Sequence, residues 1–155
     1  MNFIFISPNF PENYWNFCAA LKKNGVSVFG IGDAPYDNLD QRLKDSLTEY
    51  YRVNNMEDYD QMYRAVAHFA AKYGRIDWLE SNNEYWLIQD ARLRTDFNIT
   101  TGIKSDKIDS IKEKSEMKKY YAAGGIRTAR QVKANDSLDN ILKFAYEAGY
   151  PLFAY

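Results

Sequence analysis

The chain has 155 residues, 46% hydrophobic and 26% charged, with 20 Lys and Arg against 21 Asp and Glu and a formal net charge of −1. That balance lacks the basic excess of a nucleic-acid binder, and no apolar run approaches the roughly 18 residues of a membrane span. The single cysteine, Cys18, has no partner for an internal disulfide, and with the single histidine, His68, it leaves too few ligands for a His/Cys zinc site.

Asn2–Ser7 is an apolar run rich in Phe and Ile, closed by Pro8, and it predicts a buried strand. No basic segment precedes this run and Pro8 and Pro11 soon interrupt it, so it does not read as a signal peptide. Together with the lone cysteine this gives a reducing, cytoplasmic location as the expectation. From Asn13, the residues Tyr14, Phe17, Cys18 and Leu21 fall at i, i+3, i+4 and i+7 and predict one helix face, with Gly25 as the stop. Val26–Ile31 is a second apolar strand. A strand, a helix and a second strand in so short a span imply a parallel sheet with a right-handed crossover.

The polar stretch that follows contains a short helix near Gln41–Ser46, and Tyr50–Val53 is a weaker third strand. Met56–Tyr73 carries apolar residues at helical spacing up to Gly74, and Ile76–Ser81 is a fourth strand. Leu87, Ile88 and Ala91 then mark a helix that runs to Phe97. Four strand–helix pairs predict an open α/β sheet with helices on both faces. Beyond Asn98 the pattern changes. Lys104–Lys119 reads as one or two short charged helices, Gly124-Gly125 as a stop and Thr128–Lys133 as a strand. Asn135-Asp136-Ser137 is an N-cap cluster for a helix through Leu138, Ile141, Leu142 and Ala145, ended by Gly149, and Pro151–Tyr155 begins another strand.

Open parallel sheets bind ligands at the carboxyl ends of their strands, where the strand order switches. Ser7, Pro8, Asn9 and Phe10 follow the first strand and are cleft candidates, although a turn that only connects also accounts for them. The turn has no glycine, so a dinucleotide fingerprint is absent. Asn82, Asn83 and Glu84 follow the fourth strand. They are the residues a helix N-cap uses, and they are equally placed to line a cleft. His68 reads as a packing or surface residue and Cys18 as core. No acidic phospho-acceptor cluster follows the first strand, which argues against a receiver-like domain.

Several strings carry a family resemblance: Ile4-Phe5-Ile6-Ser7-Pro8, Leu21-Lys22-Lys23-Asn24-Gly25-Val26 and Ile76-Asp77-Trp78-Leu79-Glu80-Ser81-Asn82-Asn83-Glu84. In the second half they are Lys114-Ser115-Glu116-Met117-Lys118 with Ala123-Gly124-Gly125-Ile126, and Ala148-Gly149-Tyr150-Pro151-Leu152-Phe153-Ala154. The chain resembles the N-terminal part of ATP-grasp proteins, in the branch of carbamoyl-phosphate synthase large subunits, biotin carboxylase and related carboxylate–amine ligases. The resemblance implies a Rossmann-like pre-ATP-grasp domain over residues 1–102 and the beginning of an α+β ATP-grasp subdomain over 103–155.

By the same resemblance, Lys114 takes the position of a lysine that contacts ATP phosphates. Tyr155 stands where a second nucleotide lysine belongs, and a neutral phenol cannot replace that cation. The implied reaction joins a small carboxylate to an amine or ammonia through an acyl phosphate, using ATP and Mg²⁺. The glycine-rich loop, the adenine hinge and the Mg²⁺ carboxylates of the family have no counterpart here, so no metal ligand is assigned. The expectation is therefore an N-terminal portion of such a ligase, inactive alone, with a homodimer among the arrangements the resemblance implies. The alternative is a stand-alone Rossmann-like module that binds a small molecule or a partner without catalysis. Neither a nucleic acid nor a membrane is an expected partner.

Overall fold

A computed structural model describes residues 1–153. β1 (Asn2–Ile6) is its centre. Side chains alternate across a strand, so Phe3 and Phe5 enter one face while Ile4 and Ile6 enter the other. Burial on both faces is why this strand is continuously apolar. β2 (Ser27–Gly32) pairs parallel to β1, with Asn2 opposite Ser27 and Ile6 opposite Ile31. β3 (Glu49–Arg52) pairs parallel to β2 on its far side, and β4 (Trp78–Glu80) pairs parallel to the free side of β1. The order is β3-β2-β1-β4.

α1 (Trp15–Lys23), entered through a 3-10 turn at Glu12–Tyr14, and α2 (Gln41–Ser46) cover one face. There Cys18 and Leu43 pack with Phe3, Phe5 and Val28. α3 (Tyr59–Tyr73) and α4 (Leu87–Asp96) cover the other, packing Met62, Val66, Phe69 and Leu93 on Ile4, Phe29, Ile31 and Leu79. The Phe29 ring stacks on Phe69 at 4.9 Å between centroids. Helices thus flank both faces of an all-parallel sheet, as the alternating pattern predicts. Among the described residues no helix is long and apolar enough to cross a membrane.

Some boundaries and one helix face differ from the sequence reading. α3 begins at Tyr59 rather than Met56, because the Asp58 carboxylate caps it by accepting from the Asp60 and Gln61 N–H groups. β4 is three residues rather than six. The inward face of α4 is rotated from the one predicted: Ile88 is 55% exposed, while Asp90 and Arg94 are buried. The reason is electrostatic, because both charged residues meet polar partners at the end of β4.

The chain forms two compact units, Met1–Ile108 and Asp109–Tyr155. The second carries α5 (Asp109–Lys112), α6 (Lys114–Ala123) and α7 (Leu138–Ala148). Ser137 caps α7, its hydroxyl accepting from the Asn140 N–H at 3.2 Å. The strand expected at Thr128–Lys133 does not form, and Pro151–Phe153 is likewise unpaired. An isolated extended segment gains no ladder to satisfy its backbone groups. Ala154 and Tyr155, and with them the position expected for a second lysine, lie outside the described residues. None of residues 109–153 is buried, and Leu138 and Leu142 on α7 stay 69% and 57% exposed.

At the start of β3, Glu49 is held by α3. It accepts from Lys72 Nζ at 2.6 Å and from the Tyr73 hydroxyl at 2.5 Å, and lies 2.6 Å from His68 Nε2. The Lys72 bond first, then the Tyr73 and His68 bonds, lowers its carboxyl from the ordinary 4.5 to about 2. A carboxyl depressed by folding stabilises the fold above its unfolded value, and that gain is lost as pH falls toward the folded value. Denaturant titrations should therefore find the protein more stable than its Glu49→Gln variant near neutral pH. The difference should shrink steadily from about pH 4.5 to about 2.

Candidate functional site

The strand order reverses beside β1, which makes the gap between the carboxyl ends of β1 and β4 the switch point of the sheet. Two loops face each other there. Ser7 leaves β1 with φ 54° and Asn82 follows β4 with φ 54°, both in the left-handed region. The Tyr14 hydroxyl, from the first loop, donates to the Asn82 carbonyl at 2.6 Å and ties the loops together. Ser7–Phe10 and Asn82–Glu84, some seventy positions apart in sequence, follow the carboxyl ends of neighbouring strands, and the bond across the gap comes from Tyr14.

Within the first group Ser7 and Pro8 are buried and Phe10 is 66% exposed. The side-chain oxygen of Asn9 is buried and accepts no hydrogen bond. It lies against Gly32 at the end of β2, where a Cβ would stand 2.8 Å from Asn9 Oδ1 and 2.7 Å from the Tyr50 hydroxyl. A side chain at this position would have to displace the ends of the Asn9 and Tyr50 side chains. In the second group Asn83 caps the turn into α4, its Oδ1 accepting from the Tyr85 N–H at 2.9 Å, and the Tyr85 hydroxyl donates to Glu57. A cavity of about 320 Å³ lies against β1, β4 and α1, lined by Phe3, Phe5, Phe17 and Leu21 with Glu80 and Asn82.

Beneath the β4 loop lies an ionic cluster that the sequence did not disclose, with Asp90 and Arg94 buried and the Glu80 side chain 30% exposed. Arg94 donates from Nε to the Leu79 carbonyl at 2.9 Å, from one terminal nitrogen to the Ile103 carbonyl at 3.0 Å, and from the other to Glu80 Oε2 at 2.8 Å. Glu80 Oε1 accepts from the Ser81 and Asn82 N–H groups at 3.2 and 3.3 Å. Asp90 Oδ2 accepts from the same Ser81 N–H at 3.0 Å and from the Ser81 hydroxyl at 2.6 Å. Asp90 Oδ1 is buried without a partner. Burial, opposed in part by the Ser81 hydroxyl, pushes the Asp90 carboxyl up to about 7. The available signal was the i, i+4 spacing of Asp90 and Arg94, which puts both charges on one helix face.

Lys114 is the first residue of α6, in the second unit. It lines a cavity of about 1040 Å³ with Lys112, Lys118, Arg130 and Lys133 and with apolar Ile141, Phe144 and Leu152. Lys118 Nζ donates to the Ala129 carbonyl at 2.9 Å, and Arg130 donates to the Glu147 carbonyl at 3.0 Å. The expected phosphate lysine therefore sits in a cationic groove with apolar walls.

Parallel order, helices on both faces and a polar switch point define a Rossmann-like α/β domain. Comparison with solved structures narrows this to the fold of the N-terminal part of ATP-grasp enzymes. The biotin carboxylase domain of the Hydrogenobacter thermophilus 2-oxoglutarate carboxylase matches with a TM-score of 0.69 and 18% identity, over 96% of this chain and 33% of that one. Phosphoribosylglycinamide synthetase from Anaerococcus prevotii matches with a TM-score of 0.66 and 16% identity, over 94% and 34%. The L-amino acid ligase from Bacillus licheniformis matches with 0.60 and 11%, over 94% and 41%. The chain thus spans between a third and two fifths of these enzymes. No family model and no curated protein matches the sequence.

The left-handed backbone at Asn82 makes a checkable demand on side chains. Asn82→Gly should leave stability nearly unchanged in chemical denaturation, because glycine accepts this conformation freely. Asn82→Val should cost about 1–2 kcal/mol, the penalty of a Cβ in the left-handed region.

Proposed function

We propose that this chain is the N-terminal part of an ATP-dependent carboxylate–amine ligase, one that activates a carboxylate as an acyl phosphate for attack by an amine or ammonia. The observation that carries the reading is the pairing of an ATP-grasp N-terminal fold with Lys114 in a cationic groove. In this reading the Ser7–Phe10 and Asn82–Glu84 loops line the substrate side of the cleft. Lys114 neutralises nucleotide phosphate oxygens as a compact cation. The Hydrogenobacter thermophilus biotin carboxylase domain was solved as a dimer in complex with MgADP and bicarbonate. ATP, Mg²⁺ and a homodimer belong to the same reading.

The groove fits a polyphosphate: five cationic side chains line it, and Ile141, Phe144 and Leu152 offer apolar surface for a base. A divalent ion has no matching donors, because no group of three His, Cys, Asp or Glu that could hold a metal occurs among the described residues. Phosphoryl transfer depends on positioning and charge neutralisation, and the 155-residue chain alone is expected to bind ATP weakly and to leave it intact.

Titrating ATP into the labelled chain and following backbone amides by NMR tests the reading. Weak, saturable changes are expected at residues 112–118 and 129–133, and Lys114→Ala should remove most of them. Tight binding would overturn the expectation that the chain alone binds ATP weakly, and changes independent of Lys114 would remove its nucleotide role. The apolar cavity beside α1 favours a second reading, a non-catalytic small-molecule module. That reading gains if a ligand shifts Phe17 and Leu21 while ATP shifts nothing.

A further inference from the structure

The geometry points to Asp90 as a positioning residue for the β4 loop: by gaining or losing its proton it resets the hydrogen bonds that hold Ser81, Asn82 and Asn83. The inference does not rest on the ligase reading, since it concerns only the cluster beneath the loop.

Glu80 and Asp90 both accept from one donor, the Ser81 N–H, so the two carboxyl groups sit side by side. Arg94 is the one cation of the cluster, and it is committed to Glu80 and to two backbone carbonyls. One arginine neutralises one carboxylate. With Glu80 ionised, an ionised Asp90 would leave an uncompensated negative charge in the interior, which is costly. Keeping a proton on Asp90 makes the cluster neutral.

The groups that act on Asp90 are Glu80 from β4, Arg94 from its own helix, and the Ser81 hydroxyl and N–H. α3 also packs on α4, and no charged side chain of α3 is among the groups acting on Asp90. The desolvation that raises the carboxyl and the two Ser81 hydrogen bonds that lower it leave the balance near neutrality.

The orphaned Oδ1 gives the exchange a place to happen. A proton on Asp90 leaves Oδ2 able to accept from Ser81 and removes the charge that Oδ1 would otherwise carry without a donor. When the proton leaves, Oδ1 becomes an anionic acceptor without a donor, and something must supply one. Arg94 can turn from Glu80, the Ser81 turn can shift, or water can enter. Each changes the bonds that fix Asn82 in its left-handed conformation and, through the Asn82 carbonyl, the tie to Tyr14. The two switch-point loops would then read the pH together.

A pH titration of the full chain, followed by amide NMR, tests this. Ser81, Asn82 and Asn83 should shift together with one midpoint near neutral pH. The isosteric neutral variant Asp90→Asn should abolish the transition while the rest of the spectrum keeps its native dispersion. Glu80→Gln removes the neighbouring negative charge and releases Arg94, so it should move the midpoint down by about one unit. Ser81→Ala removes the strongest bond to the carboxylate and should move it up. His68→Gln is the control, because His68 lies on Glu49, Tyr51 and Phe69 instead. Flat amides across neutral pH, or a transition that survives Asp90→Asn or disappears in His68→Gln, would overturn the proposal. Should Asp90→Asn not fold, the opposite shifts in Glu80→Gln and Ser81→Ala decide, and an unmoved midpoint in both counts against it.

Discussion

Everything in the first unit depends on β1 being sandwiched, edge and face, by the rest of the chain. It pairs with β2 on one side and β4 on the other, and its alternating side chains divide the apolar core into two layers. Phe5 and Ile6 are adjacent in sequence and belong to different layers. A one-residue slip of this strand would exchange the layers completely, so its register is strongly specified. The same central position creates the functional geometry. Because β2 and β3 were laid down on one side and β4 on the other, the loop after β1 has an open neighbour, and polar residues gather there.

The organisation of the first unit was legible because it rests on periodicity and punctuation. Phe3–Ile6 and Val28–Ile31 are apolar on both faces, and Gly25 and Gly74 stop helices with positive φ, at 74° and 83°. The two loops at the switch point were legible for the same reason, since each immediately follows a strand. Lys114 is singled out only through resemblance, as no local spacing distinguishes it from other helix lysines. What escaped was the face of α4. Pattern reading marks the helix by Leu87, Ile88 and Ala91 and gives no reason to bury Asp90 and Arg94, because burial of charge is normally prohibitive. Here the end of β4 offers a carbonyl, a carboxylate and a hydroxyl to receive them, and such long-range compensation leaves no mark on local sequence. The strand expected at Thr128–Lys133 failed for a related reason. Strand propensity needs a neighbouring strand, and propensity alone does not supply one.

The Glu80–Asp90–Arg94 cluster and the orphaned Asn9 oxygen share a physical logic. Both place polar atoms in the interior at the carboxyl ends of the strands, where an apolar substitute would pack with less cost. Arg94 closes the fold as well as the cluster, since its guanidinium reaches Ile103 and lies against Gly102, where a Cβ would be 2.8 Å from Nε. Residues that shape the β4 loop therefore also hold the segment that follows α4.

The absence of any buried residue between 109 and 153 bears on cooperativity. A domain unfolds in one transition when its parts share a core, and the second unit contributes none of the fully buried side chains. Heat or denaturant would meet two populations of hydrogen bonds: those of the sheet, released only with its core, and those of α6 and α7, opening at far smaller free energy. Circular dichroism and a buried aromatic probe such as Phe29 would then report different midpoints on one chain, and a single stability figure for all 155 residues would describe neither part.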